Sequence, residues 1–186
     1  MAILKVARMG HPVLRTKAHT VPRNQIGSGR IQRLIDDMFE TMQEYAGIGL
    51  AAPQIHESLR IFVAGVREAA VVDPMTDEAE MPRIALINPE LALVDDLVES
   101  DWEGCLSIPD IRGKVPRARK VAVRALNRKG ELVEFVAEGL PARVIQHETD
   151  HLNGILFFDR MSSFETLAFM DEFRKYWAKD EDEDEK

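Results

Sequence analysis

Along residues 28–46, SGRIQRLIDDMFETMQEYA, apolar side chains return at Ile31, Leu34, Ile35, Met38, Phe39, Met42 and Tyr45. Steps of three and four residues place all of them on one stripe of a helix. Ser28 stands where an N-cap hydroxyl is needed, and Gly47 where a helix stops. Further on the period changes. Residues 119–126, RKVAVRAL, alternate apolar and polar, residues 131–136 do the same, and the NRKG between them suits a hairpin turn. Shorter runs at 60–66, 84–88 and 90–94 predict more strands, with residues 67–82, polar and proline-bounded, as a surface loop or insertion. Helical signals return over Leu140–Leu152, where Pro141 suits a first turn and Asn153-Gly154 a stop. Residues 163–178 predict a last helix, opened by Ser162 and Glu165 as a capping box.

No repeat or linker interrupts these elements, so residues 1–179 read as a single domain of α+β class. The expected architecture is antiparallel β-sheets packed around a buried central helix, with an N-terminal amphipathic helix and a C-terminal helix. The 186 residues are 45% apolar and 30% charged, which suits a globular protein with a full core. No run approaches the roughly 20 apolar residues of a membrane span, and MAILKVARMGHPVLR lacks a signal-peptide core. The expectation is a cytoplasmic protein without membrane partners. The single cysteine, Cys105, excludes an internal disulfide framework and agrees with a reducing compartment. Of the net charge of −8, residues 180–186, DEDEDEK, contribute six acids and one lysine. They read as a disordered acidic tail. Without a basic patch interleaved with aromatics, direct nucleic-acid recognition is not expected.

The chemistry concentrates in QHETDHLNG, residues 146–154. His147 and His151 stand four apart on the predicted helix, so both imidazoles share one face and can bind one metal ion, with Glu148 beside them as a base. Such an HExxH pair leaves the third ligand open. A three-histidine zinc peptidase needs a histidine where this chain has Phe157. A zinc endopeptidase with a downstream glutamate would use Glu165 or Glu172. Cys105 in WEGCLSIP is the other candidate, since a thiolate with two imidazoles leaves a fourth, catalytic position open. Such a set also suits Fe²⁺, Ni²⁺ or Co²⁺. GIGLAAPQ, with no GK[ST] after it, is not a nucleotide loop.

Three blocks, GIGLAAPQ at 47–54, EGCLS at 103–107 and QHETDHLNG at 146–154, together resemble peptide deformylase. The likeness runs from about residue 3 to about residue 175. It implies hydrolysis of the N-formyl group from the N-terminal methionine of new polypeptides. The implied metal ligands are Cys105, His147 and His151, holding one divalent ion, with Fe²⁺ expected natively and Zn²⁺, Ni²⁺ or Co²⁺ as alternatives. Glu148 is the implied general base and acid, and the Gln54 side chain and Leu106 backbone N–H the implied oxyanion donors. Ile48, Gly49, Arg112, Leu140 and Val144 are the implied substrate contacts. Arg143, where some relatives carry an apolar residue, is expected to narrow the pocket rim or reach out to solvent. Glu103 and Asp150 are expected to support the histidines. The implied partners are N-formylmethionyl nascent peptides, with at most a transient ribosome contact to which an acidic tail adds nothing.

Overall fold

The computed structural model describes residues 2–65 and 81–178. The expected 67–82 loop, apart from its last residues, and the acidic tail lie outside the described residues, as does Val66. Among the described residues there are four α-helices: α1 (Arg23–Ile26), α2 (Gly29–Glu44), α3 (Leu140–Leu152) and α4 (Met170–Tyr176). Eight strands accompany them: β1 (Gly49–Ala51), β2 (Ile61–Ala64), β3 (Ile84–Leu93), β4 (Val98–Cys105), β5 (Ile108–Ala118), β6 (Lys120–Leu126), β7 (Leu132–Glu138) and β8 (Ala168–Phe169). They form a five-stranded sheet ordered β1-β2-β3-β6-β7 and a three-stranded sheet ordered β4-β5-β8. Every pairing between these strands is antiparallel, and an isolated parallel bridge joins His19 to Leu59.

Strand β2 explains the layering. All four of its side chains are buried, but alternate ones point to opposite faces. Ile61 and Val63 pack with Ile31, Ile35, Met38, Phe39 and Met42 of α2. Phe62 and Ala64 pack with Ala142, Val144, Ile145 and Leu152 of α3. The sheet is therefore sandwiched between the two helices, and α3 is the buried helix expected from sequence. The second sheet closes over a smaller core of Ala7, Leu14, Ile108, Val115, Leu156 and Phe157, against which Cys105 packs.

The N-cap of α2 is Ser28, whose hydroxyl accepts from the Ile31 N–H. Its C-terminus differs from expectation. The left-handed residue is Ala46 (φ 51°), and Gly47 follows it, donating to the Met42 carbonyl at 2.8 Å. Tyr45, expected in the buried stripe, is exposed. The two strands predicted at 84–88 and 90–94 are one strand, β3, with a register shift between Ile87 and Glu90. Asn88 there has φ 53°, and Pro89 has no N–H to give to the ladder.

Two elements escaped the pattern. β4 and β5 pair from Val98↔Ala118 down to Cys105↔Ile108. Most of β4 is exposed, and β5, although Gly113, Val115 and Arg117 are buried in turn, contains Pro109, Pro116 and a buried arginine, so neither shows an apolar–polar alternation in its sequence. Conversely, the last helix spans only Met170–Tyr176, and Ser162 and Glu165 do not cap it. Ala168 and Phe169 pair instead with Arg112 and Ile111, and Thr166 accepts the Lys114 N–H at 3.1 Å. Strand pairing with a distant segment outcompetes the local helical spacing there.

Candidate metal centre

Helix α3 carries His147 and His151 toward the end of β4, where Cys105 sits at the register shift with β5. The three ligand-capable atoms lie within 4.8 Å of one another, and Cys105 Sγ is 3.2 Å from His151 Nε2. They are the one such group of three among the described residues. Glu165 and Glu172, on which the endopeptidase alternative depends, are both exposed, and neither belongs to that group.

Each ligand candidate is held from behind. Glu103, two residues before Cys105, is buried and accepts from His147 Nδ1 at 2.8 Å. Burial opposes ionisation of Glu103, but hydrogen bonds from His147 and Arg117 outweigh it and hold its carboxyl at about 2. An ionised carboxylate only accepts, so Nδ1 of His147 carries a proton and Nε2 is the nitrogen left to face a metal, whose binding displaces any proton there. Desolvation would lower His147, but its hydrogen bonds to Cys105 and Glu103 raise it well above the ordinary histidine value. His151 is pushed well below that value by burial, with the charges of His147 and Arg117 acting the same way. Its Nδ1 has no hydrogen-bond partner among the described residues.

Glu148 is 4% exposed, and its Oε2 is buried without a hydrogen-bond partner among the described residues. Burial pushes its carboxyl up to about 7, against the pull of His147 and Arg117 and with a push from Glu103. Gly49 of β1 makes room for it: a Cβ there would stand 2.3 Å from Glu148 Oε1. Gly47 is similarly confined, since its Cβ would meet Leu106 at 2.8 Å. The glycines of GIGLAAPQ thus let this loop lie directly against Glu148 and against EGCLS.

Gln54 lies in a short 3₁₀ turn, Ala52–Ile55, and is 1% exposed. Its Oε1 accepts the Ala51 N–H at 2.8 Å, which aims Nε2 at Ser107 Oγ (3.3 Å) and Cys105 Sγ (3.6 Å). Leu106 stands in the β4–β5 turn beside Cys105, partly buried. The N-terminal segment ties these loops together, with Ala7 donating to the Gln54 carbonyl and Met9 to that of Ser107.

The remaining expected residues are spread around this group. Ile48 is partly buried and packs on the core that contains Val144, itself one helical turn before Glu148. Arg112 pairs across from Gly104, next to Cys105; its Nε is buried without a partner among the described residues, and its guanidinium lies 5.5 Å from the Phe173 ring centroid. Leu140 opens α3 about two turns ahead of His147 and lines a small recess with Glu99, Asp101 and Gly139.

Arg143 does not reach out to solvent, and it borders the same small recess as Leu140. It is 8% exposed and bonds Glu103 Oε1 (2.9 Å), the Val115 carbonyl (2.7 Å) and the Glu99 carbonyl (2.8 Å). The sequence reading also missed Arg117, which is buried and forks onto Glu103 at 2.9 and 3.0 Å and onto Asp150. Asp150 accepts in turn from Arg160 at 2.7 Å. Nothing local separates Arg117 from Arg119, which is half exposed among surface carboxylates. Its signal lay in the buried acids of EGC and HETD, which required cationic partners.

The donor set and the orphaned Glu148 oxygen fit a divalent metal ion with a neighbouring base. The polypeptide deformylase family model matches residues 3–166. Peptide deformylase 1 of Prochlorococcus marinus is 43% identical over 173 residues, covering 92% of this chain and 88% of the relative. The peptide deformylase of Carboxydothermus hydrogenoformans is 46% identical over 160 residues, covering 86% and 94%. A crystal structure of the class I type b peptide deformylase of Acinetobacter baumannii aligns with a TM-score of 0.78 at 40% identity, over 87% of this chain and 100% of that one. The fold, the metal-capable group and these similarities converge: the chain belongs to the peptide deformylase family.

Proposed function

We propose a division of labour among these residues for the family reaction, which the chain catalyses: hydrolysis of the N-formyl amide of an N-terminal methionine to formate and a free amine. Cys105, His147 and His151 hold the metal on which the family depends, and the observation that carries this reading is their convergence within 4.8 Å beside the unpartnered carboxylate of Glu148. When bound, the ion supplies Lewis acidity that polarises the formyl oxygen and lowers the pKa of water. Fe²⁺ is the expected native ion, and Zn²⁺, Ni²⁺ and Co²⁺ suit the same donors.

Glu148 accepts the proton of the attacking water and delivers it to the departing amine nitrogen. A carboxyl group suits both steps because it can act first as base and then as acid. Gln54 Nε2, locked by the Ala51 N–H, and the Leu106 N–H donate to the oxygen that gains charge as the formyl carbon becomes tetrahedral. Ile48 and Gly49 line an extended peptide, Leu140 and Val144 contribute apolar surface toward the methionine, and Arg112 faces the following residues. Related crystals of the A. baumannii enzyme contain Met-Ala-Ser or actinonin, which supports a methionine-first peptide as the occupant. A cytoplasmic setting and transient contact with translating ribosomes agree with that substrate. No helix among the described residues is long and apolar enough to cross a membrane.

The test is metal content together with turnover of a formyl-Met peptide, measured anaerobically. Cys105→Ala is expected to lose both. A Cys105→Ala protein with wild-type metal content and activity would refute the assignment.

A further inference from the structure

We infer that Arg143 is a positioning residue for the metal centre, clamping the helix that carries His147 and His151 to the strand that carries Cys105. This rests on the ligand set proposed above.

Arg143 and His147 stand four residues apart on α3, on one face, and both reach the same carboxylate. His147 Nδ1 takes Glu103 Oε2, and Arg143 Nη1 takes Glu103 Oε1 at 2.9 Å. Glu103 in turn lies two residues before Cys105 on β4. The Arg143–Glu103 pair therefore spans the same two elements as the ligands themselves. The rest of the guanidinium completes the clamp, with Nη1 also donating to Val115 of β5 at 2.7 Å and Nη2 to Glu99 of β4 at 2.8 Å.

Arg117 holds the same carboxylate from another side. It forks onto Glu103 from β5, which is already paired with β4, and it reaches α3 through Asp150 on the far side of His147. Gln146 also grips the Ala118 backbone of β5, at 3.1 and 2.8 Å, and Arg143 adds an attachment to Glu103 of β4 one turn before His147. The helix is thus fixed on both sides of its first ligand. Arg143 also shares the Glu103 charge. With two guanidiniums and one imidazole on it, the carboxylate fixes the His147 tautomer while its own negative charge is compensated. A planar fork is needed to satisfy acceptors on two strands at once, which a lysine cannot reproduce.

The experiment uses the full-length chain, stripped of metal and titrated with Co²⁺ against a competing chelator, with the cobalt absorption spectrum recorded and folding followed by circular dichroism. Arg143→Leu is expected to bind Co²⁺ about 10- to 100-fold more weakly, with an altered thiolate–cobalt band. Arg143→Lys is expected to fall between it and wild type. If a folded Arg143→Leu protein keeps wild-type affinity and spectrum, the inference is overturned. Should Arg143→Leu fail to fold, Arg143→Lys decides: weaker binding with a shifted band supports the clamp, and wild-type values overturn it. Ile35→Ala, which loosens the distant core, is the control for mere stability, and an equal loss of cobalt affinity there would also overturn the inference. Cys105→Ser run alongside separates the two readings, because wild-type affinity in that variant would overturn the ligand set and the clamp together.

Discussion

Helices α2 and α3 pack on opposite faces of one sheet and bury opposite kinds of side chain. α2 buries Ile31, Ile35, Met38, Phe39 and Met42, with Thr41 as its one buried polar residue, satisfied by donating to the Asp37 carbonyl at 2.7 Å. α3 buries Arg143, His147, Glu148, Thr149, Asp150 and His151 alongside its apolar residues. Each large apolar side chain under α2 stabilises the fold by about 1.5–3 kcal/mol, wherever its neighbours come from, because the force is non-directional. The buried charges of α3 cost several kcal/mol apiece unless each finds a placed partner. Those partners, Glu103 and Arg117, come from β4 and β5. The functional helix is therefore the one whose stability depends on distant segments, and α2 is the one that supplies a rigid frame. The capping agrees, since α2 begins on a serine that accepts a backbone N–H and α3 begins on Gly139 without a side-chain cap.

This contrast can be broken at three levels. The largest effect is expected at Glu148, where Glu148→Gln keeps the fold and the metal but loses about 10²- to 10⁴-fold in turnover. Metal analysis beside a formyl-Met peptide assay checks it, and a variant that turned over normally would remove Glu148 from the mechanism. On the other face, Ile35→Ala is expected to cost about 2–5 kcal/mol of stability, read by denaturant unfolding, and to leave metal affinity unchanged. If metal affinity fell in step with stability, the two faces would not be separable. The smallest effect belongs to the cap: Ser28→Ala is expected to cost about 1 kcal/mol in the same unfolding experiment, with no change in turnover.

Much of this molecule is legible without coordinates. The 3.6-residue stripe marks α2, Pro141 and Asn153-Gly154 bracket α3, and the alternation around NRKG marks the β6–β7 hairpin. QHETDHLNG offers two candidate ligands and a candidate base, because residues four apart on a helix share a face whatever surrounds it. In each case the information is local: a helix or hairpin carries its own period and its own stop.

Other features were decided only in three dimensions. β4 and β5 show no apolar–polar alternation in sequence and are recognised only by their pairing with each other, while Ala168 and Phe169 leave the predicted helix to pair with β5. That Cys105, and neither Glu165 nor Glu172, lies with the two histidines needed the folded chain, because HExxH is silent about a third ligand. Gly49 gains its second reason, contact with Glu148, only when β1 and α3 meet. Arg143 reads from sequence as a long surface side chain and is instead a buried clamp. The sequence by itself determined the elements with internal periodicity and the chemistry of the HETDH face. The tertiary structure decided which charges could be buried, because a buried charge is tolerated only where its partner has been delivered from elsewhere in the chain.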